Sequence, residues 1–366
     1  MQFSCSKNAI LREITIANDI ISSRNTISAL SSVFLDVKED KLTIKATDLK
    51  VSFETQIPIS PEAPGVAAVF CGKFLGILRS LPEGDVFISK EDERLIITSR
   101  ENIKFQLYSI APGKFPQIPN AEESRYFFLT QKDFVYMIGQ TIFAVSDAET
   151  RYFMNGVYLE ANEDKIVMVA TDGRRLSHVY TSLGDKFPDF PGIIIPPKIL
   201  NLVAKLASGE GTVELAVADK TLFIRFDKQK LTSTLVDGQF PNYNRVIPGD
   251  QKFGFTVKRN DFIDALRRVS LLSDQKTKRI MISLSQGNVV LKSDEREIGE
   301  AEERIKCIYD GPEMIFVINH SYLTDPLRVI EKEDITVKFT DSNKAVTIVS
   351  LDESTFFHIV MPMQME

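Results

Sequence analysis

The sequence predicts an α+β protein built from three copies of one unit, each holding two helices and about eight strands. Three observations lead there. The 366 residues divide into thirds of 122, and self-similarity at a fixed period marks a repeat architecture. Helix-like segments recur twice within each third. Between them run alternating, β-branched stretches that read as strands and whose turns keep the same period.

The first helix of each copy reads from KNAILREITIANDII at Lys7, TQKDFVYMIGQTIFAVS at Thr130 and KRNDFIDALRRVSLLSD at Lys258, offsets of 123 and 128 residues. Each opens on a polar or basic residue and spaces its apolar side chains by three and four, which gives one stripe for a core. The second helix follows in KFLGILRSLPEG from Lys73, PKILNLVAKLASGEG from Pro197 and NHSYLTDPLRVIEKED from Asn319, offsets of 124 and 122. Pro326 lies inside the last of these and removes a backbone donor, so that helix is expected to start late, kink or break. Strands are predicted in KLTIKATDLKVSFETQI, KIVMVATDGRRLSHVY and NVVLKSDEREIGEAEERI. The turn residues Asp48, Asp172 and Asp294 keep step, as do the closing residues Pro116, Pro241 and Pro362. Pro, Gly and polar residues cluster at 116–126 and 246–251, which reads as two linkers and sets domains at 1–120, 126–248 and 251–366.

Composition excludes several classes. With 43% apolar and 26% charged residues the chain has an ordinary globular profile, neither disordered nor disulfide-framed. The uncharged run from Phe134 to Ser146 is too short for the ~18 residues that span a bilayer, so no membrane association is expected. The N-terminal segment lacks an apolar signal region; a cytoplasmic protein with reduced Cys5, Cys71 and Cys307 is the expectation. A net charge of -6 argues against a surface that grips nucleic acid everywhere. Its distribution changes the picture: the helical windows 7–24, 73–81, 130–147, 197–209, 258–279 and 319–330 together carry +8, leaving -14 on the remainder. If those helices share a face, that face attracts phosphate while the rest repels it. The three histidines, His178, His320 and His358, form no HExxH, and GxSxG, GxGxxG and P-loop spacings are absent. A non-enzyme without cofactor or metal is therefore expected. The rival reading is a metal-dependent nuclease or phosphoesterase using acidic pairs such as Asp147 with Glu149.

The runs ETRYFMNGVYLE (149–160), VATDGRRLS (169–177), LVDGQFPNYNRVIP (235–248), GEAEE (299–303) and VMPM (360–363) resemble the bacterial DNA polymerase III beta subunit family, the sliding clamps. The match keeps its order and spacing over the whole chain. The resemblance implies three like domains per chain, helices lining a hole, antiparallel sheets outside, and a head-to-tail dimer closing a ring of six domains. Geometry agrees on the dimer. Twelve helices packed ~10 Å apart on a circle leave roughly 28 Å clear, whereas six leave about 9 Å; a duplex roughly 20 Å across fits only the former.

On this resemblance Arg24, Lys73, Arg79, Lys198, Lys205, Arg267 and Arg268 face the DNA. Arg100, Lys104, Phe105 and Leu107 of the first repeat meet the acidic strand of Glu297, Glu300, Glu302 and Glu303, with Leu271 and Leu272 as an apolar plug. Opposite charges on two strands far apart in the chain suit a heterologous contact. A groove between the second and third repeats is implied to take short partner peptides rich in Gln, Leu and Phe. Met154, Thr171, Gly173, Arg174, Arg175, Leu176, Pro241, Val246, Ile359 and Met361 form its deeper half, with Arg175 as a polar anchor; Tyr152, Asn319, Tyr322, Pro362 and Met363 border the other. Partners implied are duplex DNA read without sequence preference, a second copy, the replicative polymerase alpha subunit, a clamp-loader ATPase, and other polymerases, mismatch-repair proteins and ligase. Two departures from the family stand out: Arg174 replaces a common His, and the tail Gln364, Met365, Glu366 is longer and acidic.

Overall fold

The computed structural model describes residues 1–21, 28–100, 102–122, 126–162, 164–182, 190–295, 298–351 and 353–364. Each of six α-helices springs from the end of a strand, directly or after one residue. They are α1 (Lys7–Ile20), α2 (Cys71–Ser80), α3 (Gln131–Thr141), α4 (Pro197–Leu206), α5 (Arg259–Val269) and α6 (His320–Val329). The repeats hold nine, eight and eight described strands, close to the predicted number. Pro197 opens α4 at the position where a missing N–H costs nothing. Asn319 caps α6 by accepting the Ser321 N–H at 2.9 Å.

The expectation for Pro326 is corrected. α6 starts on time and runs through the proline to Val329. One helical hydrogen bond is forfeited, but the Asn319 cap satisfies an end donor and Leu323, Pro326 and Leu327 bury on one face, so packing outweighs the local loss.

A repeat-related device ties the first helix of each copy to the chain after the second. The backbone N–H groups of Lys7, Gln131 and Arg259 donate to the carbonyls of Gly84, Gly211 and Glu333 at 3.0, 3.0 and 2.8 Å. Their side chains reach the same segments. Lys7 Nζ donates to Leu81 O at 2.7 Å, Arg259 Nη1 to Leu327 O and Ile330 O at 3.1 and 2.6 Å, and Gln131 Oε1 accepts from the Ser208 hydroxyl at 3.1 Å. In the first and third repeats a long cationic side chain thus satisfies carbonyls left orphaned at a helix C-terminus, while in the second Gln131 accepts from the segment after the helix.

Contacts divide the chain into two compact units, Met1–Gln131 with Ala207–Leu235, and Lys132–Leu206 with Val236–Glu366. In the first, thirteen antiparallel strands join, and Gln229–Thr234 of the second repeat pairs with Val51–Pro58 of the first, Leu231 opposite Phe53. In the second, an eight-stranded sheet joins Arg175–Ser182 to Glu353–Val360 of the third repeat, Leu176 opposite Ile359. A four-stranded sheet beside it is ordered Gly299–Lys306, Asn288–Glu295, Arg279–Ser285, Met314–Asn319. Buried apolar pairs lie on both junctions, which fixes their register. The second repeat is split between the units because its sheets each continue a neighbour's.

Bounded by the structure, the six helices carry +5 and not the +8 of the wider windows. Arg24 belonged to that larger sum and lies outside the described residues; Lys276, Lys278 and Arg279 fall beyond the end of α5. Among the described residues no helix is long and apolar enough to cross a membrane, and no group of three or more His, Cys, Asp or Glu is placed to hold a metal.

Candidate functional site

The hairpin joining Lys165–Thr171 to Arg175–Ser182 turns through Asp172, Gly173 and Arg174. Asp172 Oδ1 accepts the N–H groups of Arg174 and Arg175 at 2.8 and 3.0 Å, and Thr171 Oγ1 accepts that of Gly173 at 3.0 Å. Gly173 sits at φ +86, a conformation that favours glycine, and the one close neighbour of a Cβ there would be the end of the Arg151 side chain, Nη1 at 2.7 Å. The first repeat makes the same turn. Asp48 accepts from Lys50 and Val51 at 2.9 and 2.7 Å, and Thr47 accepts from Leu49, which occupies the glycine position at φ +76 and is exposed.

Arg175 is the hub of the site. Its Nε donates to Asp172 Oδ2 at 3.1 Å, its Nη1 to Asp325 Oδ2 on α6 at 2.6 Å, and its Nη2 to Phe143 O at 2.5 Å. The guanidinium also stacks over Tyr322, 4.8 Å from the ring centre. With its side chain only 13% exposed, Arg175 is engaged on all sides by the protein. It pins the second-repeat hairpin to the third-repeat helix.

The remaining predicted groove residues separate by depth. Met154, Thr171, Leu176 and Ile359 are buried; Leu176 and Ile359 lie in a cluster with Val167, Val169, Ile194, Phe240 and Tyr243. Pro241, Asn319, Tyr322, Pro362 and Met363 are half-buried, and Tyr152, Gly173, Arg174, Val246 and Met361 are exposed. The segment after the last strand is fastened on both sides: Met361 N–H donates to Arg174 O at 2.9 Å and Met363 N–H to Val317 O at 2.7 Å. It forms one wall of a cavity of about 560 Å³ whose lining includes Arg174, Asn319, Tyr322, Met361, Pro362 and Met363. Six predicted groove residues thus meet at one opening. Lys276, Thr277 and Arg279 line it too and were not predicted as groove residues; their run KTKR was read as the charged end of a helix. Of the acidic tail, Gln364 lines the opening and Met365 and Glu366 lie outside the described residues.

Two histidines lie in the sheet that carries the floor residues Leu176 and Ile359, on opposite faces of it. His358 is fully buried between Ser177 Oγ at 3.0 Å and Gln140 Oε1 at 3.1 Å, and burial, with His178 adding repulsion, pushes its pKa down to about 3. His178 stacks on Phe357 with ring centres 4.4 Å apart, and burial lowers its pKa to about 4. Both are neutral at pH 7, so the floor carries no charge of its own.

Two strands with unpaired backbone carry the residues predicted for the dimer contact. The strand Ile103–Ile110 pairs along its length with Arg94–Ser99, but on its other side it meets a strand only at Ser109 and Ile110. Lys104 is exposed on one face, Phe105 and Leu107 half-buried on the other, and Arg100 exposed just before it. The strand Gly299–Lys306 forms the outer edge of the four-stranded sheet. Its Glu300 and Glu302 side chains are 66% and 56% exposed near Lys292, while Arg268 holds Glu303 by two hydrogen bonds, one of 2.8 Å. Arg268 and Glu303 therefore neutralise each other within one chain. Leu272 lies against Gly299, and Leu271 projects with 75% exposure. Glu297 lies outside the described residues. Lys73 and Arg79 on α2, Lys198 and Lys205 on α4 and Arg267 on α5 are exposed.

The chain is similar to known proteins along its whole length. The family descriptions "DNA polymerase III beta subunit" N-terminal, central and C-terminal domain match residues 1–119, 128–242 and 244–364. The chain is 40% identical to the beta sliding clamp of Treponema pallidum and 27% identical to that of Escherichia coli, each over the full length of both chains. Its structure matches a Pseudomonas aeruginosa sliding clamp bound to griselimycin with a TM-score of 0.95, 29% identity and complete coverage of both. A Caulobacter crescentus clamp with polyethylene glycol in its putative beta-motif tethering region matches at 0.93, again with 29% identity and complete coverage of both.

Proposed function

Since the chain belongs to the bacterial DNA polymerase III beta subunit family, the sliding clamps, we propose that two copies close head to tail around duplex DNA and hold the replicative polymerase to its template. The work is non-catalytic. A weak peptide contact becomes persistent because the ring keeps the polymerase's local concentration near the template high.

The observation that carries this reading is the pair of unlike open edges, one basic at Arg100 and Lys104, one acidic at Glu300 and Glu302. A chain with two different complementary edges associates head to tail, and closure of that contact makes a ring. Phe105, Leu107, Leu271, Leu272, Glu297 and Glu303 complete the proposed seam. The three domains are 1–120, 126–248 and 251–366. Lys73, Arg79, Lys198, Lys205 and Arg267, with Arg24, present positive charge to phosphate, an attraction that is independent of sequence and permits sliding. Arg268, which also holds Glu303 within the chain, belongs to this DNA-facing set.

The groove from Tyr152, Met154 and Thr171 through Gly173, Arg174, Arg175 and Leu176 to Pro241, Val246, Asn319, Tyr322, Ile359 and Met361–Met363 takes partner peptides. Its methionines allow related sequences to fit. The polymerase alpha subunit, a clamp-loader ATPase, other polymerases, mismatch-repair proteins and ligase are its proposed clients, in the bacterial cytoplasm. The test is topological. Loaded protein is expected to stay on circular DNA and leave after linearisation, and to sediment as a dimer of the 41.3 kDa chain; equal retention on both DNA forms would sink the reading. A duplex-cleavage assay with Mg²⁺ or Mn²⁺ is expected to show no turnover.

A further inference from the structure

We propose that the cavity beside the C-terminal segment selects partner peptides carrying acidic residues next to their apolar anchor, through the three cations Arg174, Lys276 and Arg279. The inference rests on the reading of this groove as a peptide site and adds the charge of its preferred occupant.

Three observations carry it. First, the cations come from different places in the chain and converge on one opening of about 560 Å³. Arg174 lies in the second-repeat turn, Lys276 in the loop after α5, and Arg279 starts the strand beside it; all three are exposed. Second, the carboxylates that share these elements are already occupied. Asp172 and Asp325 are both engaged by Arg175, at 3.1 and 2.6 Å. Asp274 accepts from the backbone N–H and the hydroxyl of Thr277 at 2.6 and 2.7 Å, and those bonds, with the backbone N–H and the nearby charge of Lys276, hold its carboxyl below the usual carboxylate range. Among the described residues no ion pair to Arg174, Lys276 or Arg279 forms, whereas Arg268 and Lys258 on neighbouring elements do have carboxylate partners. Third, the same opening is lined beside the cations by apolar groups, Met361, Met363 and the Tyr322 ring, with Met361 bonded through its N–H to Arg174 O.

An apolar lining beside unpaired cations fits a ligand with an apolar side chain flanked by negative charge. A chain of phosphates alone would leave the methionines unused, and a purely apolar peptide would leave the cations unanswered. An acidic flank satisfies both. Because the cations sit at the rim in contact with water, their effect is felt in partner choice and in salt dependence more than in total affinity.

The experiment uses the full-length protein and two labelled synthetic peptides with the same Gln-Leu-Phe-rich core, one flanked by Asp and Glu, the other by Asn and Gln. The acidic peptide is expected to bind about tenfold tighter at low salt, with the ratio shrinking toward one at high salt. In the variant R174Q/K276Q/R279Q the ratio of the two affinities is expected to fall to about one. Circular dichroism and sedimentation of the variant check its fold and assembly, and single variants R174Q and R279Q serve if the triple one fails to fold. Equal binding of both peptides to the unsubstituted protein overturns the inference and leaves the groove reading intact. Failure of both peptides to bind overturns the groove reading and the inference with it. If a single-stranded oligonucleotide competes through the three cations while the two peptides bind alike, the cations serve nucleic acid, and the inference is overturned.

Discussion

Met363 and Leu176 belong to the same predicted groove, yet they answer substitution differently. Met363 is half-buried at the cavity opening, so Met363→Ala is expected to weaken a bound peptide by about 1–3 kcal/mol with little effect on unfolding. Leu176 is 3% exposed within the buried cluster, and Leu176→Ala is expected to cost about 2–5 kcal/mol of stability, read by urea denaturation. The histidines add a pH dependence with a definite sign. Both folded pKa values, about 4 for His178 and about 3 for His358, lie below the unfolded value near 6.5, so the unfolded chain binds protons first. The stability is therefore present above pH 6.5 and is lost as pH falls toward 4, by about 1.4 kcal/mol per histidine per unit. A urea midpoint that stays constant between pH 7 and 5 would contradict this. Arg175 shows where reading from sequence stops. The string TDGRRL gives the turn, but nothing local tells which of two adjacent arginines turns inward, because its partners Phe143 and Asp325 lie 32 and 150 residues away.

At the scale of elements the turn at Leu49 offers a controlled comparison. It repeats the hydrogen bonds of the Gly173 turn with a leucine held at φ +76, a conformation that costs an L-residue roughly 1–2 kcal/mol. Leu49→Gly is expected to raise stability by about 1 kcal/mol, and Gly173→Ala to lower it by at least as much, both measurable as shifts in thermal midpoint. The helices and hairpins were legible because periodicity is local: all six helices lie where the three-and-four spacing put them. Pro326 misled because propensity speaks only for the isolated helix, whereas burial of Leu323 and Leu327 decides. The run KTKR misled for another reason. Charge in sequence carries no direction, and the turn after α5 takes Lys276 and Arg279 away from the helix and into the cavity.

For the whole molecule, the seam is open to a charge exchange. Arg100→Glu with Lys104→Glu is expected to weaken dimerisation roughly tenfold or more at low salt. Adding Glu300→Lys with Glu302→Lys in the same chain is expected to restore it, as sedimentation would show. Threefold repetition was plain from the offsets, but the sharing of sheets between repeats was not, since strand partners are chosen by three-dimensional neighbours and not by period. That sharing bears on how the protein is made. The strand Val51–Pro58 waits for Gln229–Thr234, about 170 residues further along the chain. At a synthesis rate of about 5–20 residues per second, its backbone edge stands unpaired for roughly 10–35 s. Arg175–Ser182 waits about as long for Glu353–Val360. During those intervals a nascent chain offers a half-finished sheet to any neighbour on the same message, so slowing the ribosome between residues 60 and 350 is expected to raise aggregation more than the same delay placed after residue 360, when both junctions are complete.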